Sequence, residues 1–193
     1  MEVTDQKIIR LCKNKKREGF DLLFKKYEKY IFGICYNFTY SKEDALDLMQ
    51  DVFVKIYKSI DKADETKSVS LWIKKIAVNT CLNFKRDNKD RTTDVSISST
   101  MDESDRTIED TISDNADTEN EVIFMDTKKV LEESIKELPE EVRMAVVLRH
   151  IKGLSYEDIA NAMNCPLGTV KTYIFRGRRL LKDKLIKKGV WEV

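Results

Sequence analysis

The chain has 193 residues, and its 35 Lys and Arg against 34 Asp and Glu leave a formal charge of +1, so total charge alone argues for no polyanionic partner. Hydrophobic residues make up 41% and charged residues 36%, enough apolar side chains for a core beneath a very polar surface. Only six Gly and two Pro interrupt the chain, which argues against a strand-and-turn fold, and no apolar run approaches the length of a membrane crossing.

In chain order, Phe20, Leu23, Phe24, Tyr27, Ile31, Ile34 and Cys35 recur at three- and four-residue steps and predict an amphipathic helix. Ser41-Lys42-Glu43-Asp44 is a capping-box-like start for a second helix. That helix carries Ala45, Leu48, Met49, Val52, Phe53 and Ile56 on its apolar side, with Asp47, Gln50, Asp51 and Lys55 opposite. Asp61 to Ser68 is polar and aperiodic, a loop. A third helix runs from Val69 through Leu71, Trp72, Ile76, Ala77 and Leu82 to the polar run Lys85-Arg86-Asp87-Asn88-Lys89.

Residues 91–117 change character. Ser, Thr, Asp and Glu dominate, with too few large apolar residues to fold alone, so this stretch reads as a flexible acidic linker. Its negative charge offsets basic ends and explains the neutral total. Helices return with Val122, Phe124, Met125, Val130, Leu131 and Ile135 on one side. Pro139, followed by Glu140 and Glu141, suits the first turn of another helix, which ends at Gly153 with Arg149, His150 and Lys152 in its last turn.

Ser155 caps the next helix, with Asp158 three residues on, and Ile159 and Ala160 face inward. Asn164 stands where the following turn needs a left-handed residue, and Pro166 starts the last helix. There Val170, Ile174 and Leu181 are the docking side, while Lys171, Thr172, Phe175, Arg176, Arg178 and Arg179 form the other. This is a helix-turn-helix, whose second helix lies in the DNA major groove. A plain helical hairpin with a solvated basic face is the alternative, but cap, turn residue and basic helix all agree in one place.

Cys12, Cys35, Cys81 and Cys165 form no C-x-x-C pair and read as free thiols in a reducing compartment. The lone His150 has no companion at metal-ligand spacing, so no metal or cofactor is expected. No phosphate-cradling Gly loop and no Ser- or Cys-His pairing occurs, which argues against an enzyme with a small-molecule substrate. With no leader and no apolar span, a cytoplasmic protein without membrane insertion is expected.

Three stretches together resemble the extracytoplasmic-function sigma factors, group 4 of the sigma-70 family of bacterial RNA polymerase. "DALDLMQDVFVKIYKSID" (Asp44 to Asp61) is similar to the helix that grips the polymerase clamp, "LWIKKIAVNTCLNF" (Leu71 to Phe84) to the helix for the −10 element, and "LPEEVRMAVVLRHIKGLSYEDIANAMNCPLGTVKTYIFRGRRLL" (Leu138 to Leu181) to the sigma-4 domain. Asn164 in place of the commoner Gly and the Pro166-Leu167 helix start depart from the family pattern.

The resemblance implies an all-α protein with two helical domains, sigma-2 over residues 1–90 and a helix-turn-helix sigma-4 over 118–193, joined by the acidic linker 91–117. It implies an alternative sigma factor, not an enzyme, that binds core RNA polymerase and directs transcription initiation at promoter DNA. An envelope or extracellular stress response under an anti-sigma factor, often membrane-anchored, goes with it. Asp47, Gln50, Asp51 and Lys55 would meet the coiled coil of the largest polymerase subunit, and sigma-4 the flap. Asn79 would receive a flipped base of the −10 strand, in a pocket closed by Asp64 to Val69. Lys74, Lys75, Lys85 and Arg86 would hold phosphates. Trp72 fits both a family aromatic near melted DNA and the apolar stripe. Lys171, Thr172, Phe175, Arg176, Arg178 and Arg179 would read or clamp the −35 duplex. A free-standing helix-turn-helix regulator is the other reading, and it would need a ligand pocket or dimer seam in the N-terminal half.

Overall fold

A computed structural model of the chain describes residues 3–64, 68–91 and 118–190, without the side chains of 85–91 and 118–126. Eight α-helices and no strand occur among the described residues: α1 (Asp5–Lys13), α2 (Arg17–Thr39), α3 (Lys42–Ser59), α4 (Val69–Arg91), α5 (Thr118–Lys136), α6 (Glu140–Val146), α7 (Tyr156–Met163) and α8 (Leu167–Lys187). The linker read from the composition of 91–117 lies outside the described residues apart from Arg91, the last residue of α4.

Helices α1 to α4 form one bundle. Ser41 Oγ accepts from the Asp44 backbone N–H at 3.3 Å, so the cap expected at the start of α3 is made. Ala45, Leu48, Val52 and Ile56 then repeat at three- and four-residue steps, and all are buried. Against them pack Leu23, Ile31 and Ile34 of α2 and Ile73 and Ala77 of α4. Each large side chain so buried contributes about 1.5–3 kcal/mol. Helix α1 has no counterpart in the sequence reading. Its nine residues bury only Ile8, Ile9 and Cys12, too short a pattern to stand out. The segment expected to be loop from Asp61 begins instead as a single 3₁₀ turn, Ile60–Lys62, closed by Ala63 N–H donating to Ile60 C=O.

Helices α5 to α8 form the second bundle. Pro139 precedes the first turn of α6, where Glu140 and Glu141 sit at the positive helix end. The helix expected to run on to Gly153 widens after Val146 into a π turn over Val147–Ile151. Gly153 follows at φ 68, a left-handed conformation natural to glycine. Ser155 Oγ accepts from Asp158 N–H at 3.0 Å, and Asn164 ends α7 at φ 52 and ψ 47, as the turn required. Pro166 is the residue before α8 rather than its first helical position. Lys184 pairs with Glu137, and Lys188 with Glu133 at 3.0 Å, tying the end of α8 to α5.

Two side chains expected inside are outside. Phe24 is 43% exposed, because α2 turns it toward Phe53 of α3 on the outer wall of the bundle, with ring centroids 4.7 Å apart. Leu131 is likewise exposed, while Ile135 one turn on is buried.

The two bundles touch. Helix α7 packs on α4, the π turn packs on α2, and one continuous buried cluster includes Ile34 and Val78 of the first bundle with Leu148 and Ile159 of the second. Arg143, only 5% exposed, donates from Nη1 to the Phe38 carbonyl at 2.8 Å and lies over the Phe38 ring at 5.2 Å. Burial lowers its pKa from the ordinary arginine value, so it carries its charge there at some cost.

Candidate functional site

Helix α8 divides cleanly. Val170, Ile174, Gly177 and Leu185 are buried against the bundle. Lys171, Thr172, Phe175, Arg176, Arg178 and Arg179 are all exposed. They make two adjacent rows at helical spacing, Lys171–Phe175–Arg178 and Thr172–Arg176–Arg179. Phe175 is 68% exposed, a large aromatic with no intramolecular reason to face water. Thr172 Oγ1 donates to the Gly168 carbonyl at 3.0 Å, which turns its methyl and hydroxyl to a fixed orientation. The six expected −35 residues therefore share one surface.

That surface is extended by a residue with no sequence signature of its own. His150, exposed on the π turn, has its pKa lowered by partial burial and then by the charges of Arg178 and Arg149. The π turn thus carries His150 to the flank of α8. Arg149 does not join it. Its guanidinium lies 4.9 Å from the Tyr156 ring and donates to the Leu154 carbonyl at 2.9 Å, bracing the turn into α7.

On α4, Trp72, Lys75 and Asn79 fall on one side by spacing. Lys75 is exposed, and Trp72 and Asn79 are half-buried. Trp72 packs against the core cluster along part of its surface, so its ring serves the stripe while leaving an edge accessible. Lys74 does not join this group. Its Nζ lies 5.3 Å over the Tyr30 ring of α2, within its own bundle. The side chains of Lys85 and Arg86, and most of the loop expected to close the Asn79 pocket, lie outside the described residues.

On α3, Asp47, Gln50, Asp51 and Lys55 are all exposed. Lys55 reaches α4 and donates to Thr80 Oγ1 at 3.2 Å, which draws its ammonium toward the bundle. Beside these polar residues lies a feature the sequence reading missed. Phe20 and Phe24 of α2 and Phe53, Val54 and Tyr57 of α3 line an open apolar groove of about 590 Å³. Val54 is 48% exposed and Tyr57 53%. Gln50 lies one turn before Phe53 and Val54, and Asp51 one turn before Val54, so by spacing they share that side of α3, while the charged residues lining the groove itself are Lys15, Arg17 and Asp21. Lys15 and Asp61 pair at 3.1 Å, and Lys15 lies 5.7 Å over the Tyr57 ring. Phe24 continues the α2 stripe, so only its partner Phe53 reveals that it faces out. Val54 and Tyr57, apolar residues on the polar side of α3, were the remaining signal.

Among the described residues no group of three or more His, Cys, Asp and Glu could hold a metal ion, and no helix is long and apolar enough to cross a membrane.

These three surfaces can be set beside known proteins. The sequence pattern of sigma-70 region 2 matches residues 23–91, and that of sigma-70 region 4 matches residues 128–181. The ECF RNA polymerase sigma-E factor of Haemophilus influenzae is 31% identical over 184 residues, covering 95% of this chain and 96% of that protein. The RNA polymerase sigma-H factor of Pseudomonas aeruginosa is 32% identical over 181 residues, covering 94% and 93%. In fold the chain is similar to the sigma factor RpoE solved in complex with the anti-sigma factor NepR from Bartonella quintana, with TM-score 0.63 and 21% identity over 86% of this chain and 96% of that one. The exposed basic face of α8, the helix that carries Asn79 and most of the apolar groove between α2 and α3 lie in the two matched regions, and the chain belongs to the extracytoplasmic-function sigma factors of the sigma-70 family.

Proposed function

We propose that the chain is an alternative sigma factor that binds core RNA polymerase and directs initiation at its own promoters. Residues 1–90 serve as the sigma-2 domain, 118–193 as the sigma-4 domain and 91–117 as the acidic connection. The observation that carries this reading is the apolar groove between α2 and α3 beside Gln50 and Asp51. A free-standing DNA regulator would need an enclosed ligand pocket or a dimer seam there, whereas this groove is open and most of its lining falls in the segment that matches sigma-70 region 2. A partner with an apolar ridge flanked by basic residues fits it, as the coiled coil of the largest polymerase subunit would. The groove supplies affinity by burial, and Asp47, Gln50 and Asp51 orient docking.

In this reading α8 enters the major groove of the −35 duplex. Arg176 and Lys171, in its early turns, reach base edges, while Arg178, Arg179 and His150 meet phosphates. Trp72, Lys75 and Asn79 take the −10 strand, the amide of Asn79 offering two donors and an acceptor to a base edge. Members of this family are transcription regulators rather than enzymes. By analogy with the fold-related factor solved with an anti-sigma protein, the chain works in the cytoplasm and is held there, or at a membrane, by an anti-sigma partner until an envelope or extracellular stress.

The decisive experiment mixes the purified chain with core RNA polymerase and genomic DNA fragments and maps the transcript starts. Initiation at a defined set of sites, each preceded by shared −35 and −10 sequences, is expected. Starts identical to those of core polymerase alone would refute the proposal.

A further inference from the structure

Two thiols meet where α2 and α4 pack. Cys35 of α2 and Cys81 of α4 are both 0% exposed, and the Cys81 thiol donates to the Cys35 sulfur at 3.8 Å. Each sulfur has a cation near it. Gly33 precedes Cys35 by two residues, and the space a Cβ would need there is taken by the ammonium of Lys152, at the end of the π turn. That ammonium is close enough to interact with the Cys35 sulfur by charge, so a thiolate formed at Cys35 has an opposite charge beside it. On the other side Lys55 of α3 donates to Thr80, the residue before Cys81, and acts on Cys81 by charge. The result is a buried dithiol between two ammonium groups.

The pair lies directly behind the residues assigned to the −10 strand. Cys81 is two residues beyond Asn79, and Thr80 between them is tied to α3 through Lys55. A disulfide holds its sulfurs about 2 Å apart, so a bond here draws α4 and α2 closer together than the thiols stand. Ile34, Ala77 and Val78 are fully buried in the same cluster. A close-packed interior does not absorb such a move in its side chains alone. The shift passes to the backbone of α4, and so to Asn79.

We propose that Cys35 and Cys81 are a disulfide-forming pair oxidised by hydroperoxides, and that the bond slows promoter opening by holding α4 out of position for the −10 strand. The effect on opening rests on the reading of α4 as the strand-binding helix. The Cys35 thiolate attacks one oxygen of hydrogen peroxide. The O–O bond breaks, a sulfenic acid forms, and the departing hydroxide takes up the thiol proton as water. The Cys81 sulfur then attacks the Cys35 sulfur. The S–O bond breaks, the S–S bond forms, and a second water carries off the hydroxyl with the Cys81 proton. Two thiols lose two electrons and one peroxide becomes two waters. Burial keeps the first step slow, while the second is fast because its partner is already in contact. The pair therefore answers a sustained oxidant rather than a brief pulse.

The full-length Cys165→Ser chain keeps the three buried thiols and removes the accessible one. It is held with hydrogen peroxide, freed of it, alkylated in denaturant and digested for mass spectrometry. A peptide joining Cys35 to Cys81 is expected, lighter by two hydrogens than its two parts, and dithiothreitol should undo it. Cys12, equally buried, is the internal control and should be found alkylated. The oxidised chain is then added to untreated core polymerase at a mapped promoter. Permanganate reactivity in the −10 region should appear several-fold more slowly than with the reduced chain and recover after dithiothreitol. Affinity for −35 duplex should stay the same. Cys35→Ala and Cys81→Ala in the same background should form no link and open the promoter equally before and after peroxide. Should either lose helical circular dichroism, the other decides, and should both, the reversal by dithiothreitol decides. Absence of the link, or a link through Cys12, would overturn the pair. A fully linked chain that opens promoters as fast as the reduced one would overturn the switch. A reduced chain that opens no promoter would overturn the reading of α4 and the switch with it, while the link, read by mass, stands or falls by itself.

Discussion

Gly177 of α8 lies so close to Val146 of α6 that a Cβ at position 177 would run into the Val146 side chain, with Val142 next to it. This approach seats α8 on α6. A glycine inside a helix is ordinarily worth replacing, since alanine gains about 1 kcal/mol in propensity. Here overpacking costs about 1–3 kcal/mol and is expected to win. Gly177→Ala should therefore lower the stability of the chain by about 1 kcal/mol, measured by urea unfolding. It should also weaken duplex binding, because α8 must tilt to accept the methyl. A more stable variant with unchanged duplex affinity would mean that Val146 and Val142 yield freely.

The groove between α2 and α3 separates two contributions to polymerase binding. Tyr57→Ser removes an exposed ring from its lining and should slow little but dissociate the complex faster, since apolar contacts act on the off-rate. Asp51→Arg reverses a rim charge and should weaken binding mainly through the on-rate, with a steeper effect at low salt. Both residues are exposed, so the free chain should keep its melting temperature. Surface plasmon resonance on immobilised core polymerase gives both rates. Undiminished binding in both variants would remove the groove from the interface.

Much of this was legible from the sequence because local chemistry and the global fold agree. Ser41, Ser155 and Asn164 announce their helix boundaries through their own side chains or backbone tolerance, and each does what its residue type suggests. The split of α8 into buried Val170 and Ile174 and exposed Lys171, Phe175 and Arg176 follows from a 3.6-residue period. What escaped depends on partners distant in the chain. Phe24 satisfies the α2 stripe as well as a core residue would, and only Phe53 of α3 reveals that it faces out. Arg143 reads as an ordinary polar residue of an amphipathic helix. Its target, the Phe38 carbonyl, is 105 residues away and is a backbone atom with no sequence signature. Lys74 and Lys75 are equivalent in composition, yet the first lies over Tyr30 and the second faces solvent, because only one of them is turned toward α2.

The thiols give a separate check on the packing. Cys12, Cys35 and Cys81 are buried, and burial pushes the Cys12 thiol up to about 11. Cys81 is raised chiefly by its contact with the Cys35 sulfur, 3.8 Å away, and then by burial. Cys165 is partly accessible, and burial raises it too. Since the thiolate is the reactive form, raised values slow alkylation near neutral pH. Titration with a chromogenic disulfide at pH 8 should release one equivalent first, from Cys165, and three slowly. Cys165→Ser should abolish the fast phase. Two or more fast equivalents in the variant would contradict the burial of the α2–α4 seam.

Asn79 should matter for opening more than for initial recognition. It sits with Trp72 and Lys75 on α4, not on the α8 surface proposed to meet duplex DNA. In Asn79→Ala holoenzyme at a mapped promoter, protection of the −35 region should be unchanged. Permanganate reactivity of thymines in the −10 region should appear more slowly. Equal opening rates would detach Asn79 from the strand.

The two rows on α8 predict opposite kinds of loss. Arg176 lies in the row with Thr172, one turn after it and still in the N-terminal half of α8, where a recognition helix comes nearest to base edges. Arg179 lies one turn further along the same row, and Arg178 flanks it with His150 at its side. A side chain bonded to a base edge carries discrimination, whereas one on phosphate adds the same attraction to every sequence. Arg176→Ala should therefore cost about 1–3 kcal/mol at the preferred −35 sequence and relax base preference at one position. Arg179→Ala should weaken binding to all duplexes alike and flatten the dependence of log affinity on log salt by about one unit of slope. Anisotropy titrations of the full chain with matched and singly mismatched duplexes, repeated across a salt series, separate the two. A uniform loss for Arg176→Ala together with altered base preference for Arg179→Ala would place the reading end of the helix one turn further along.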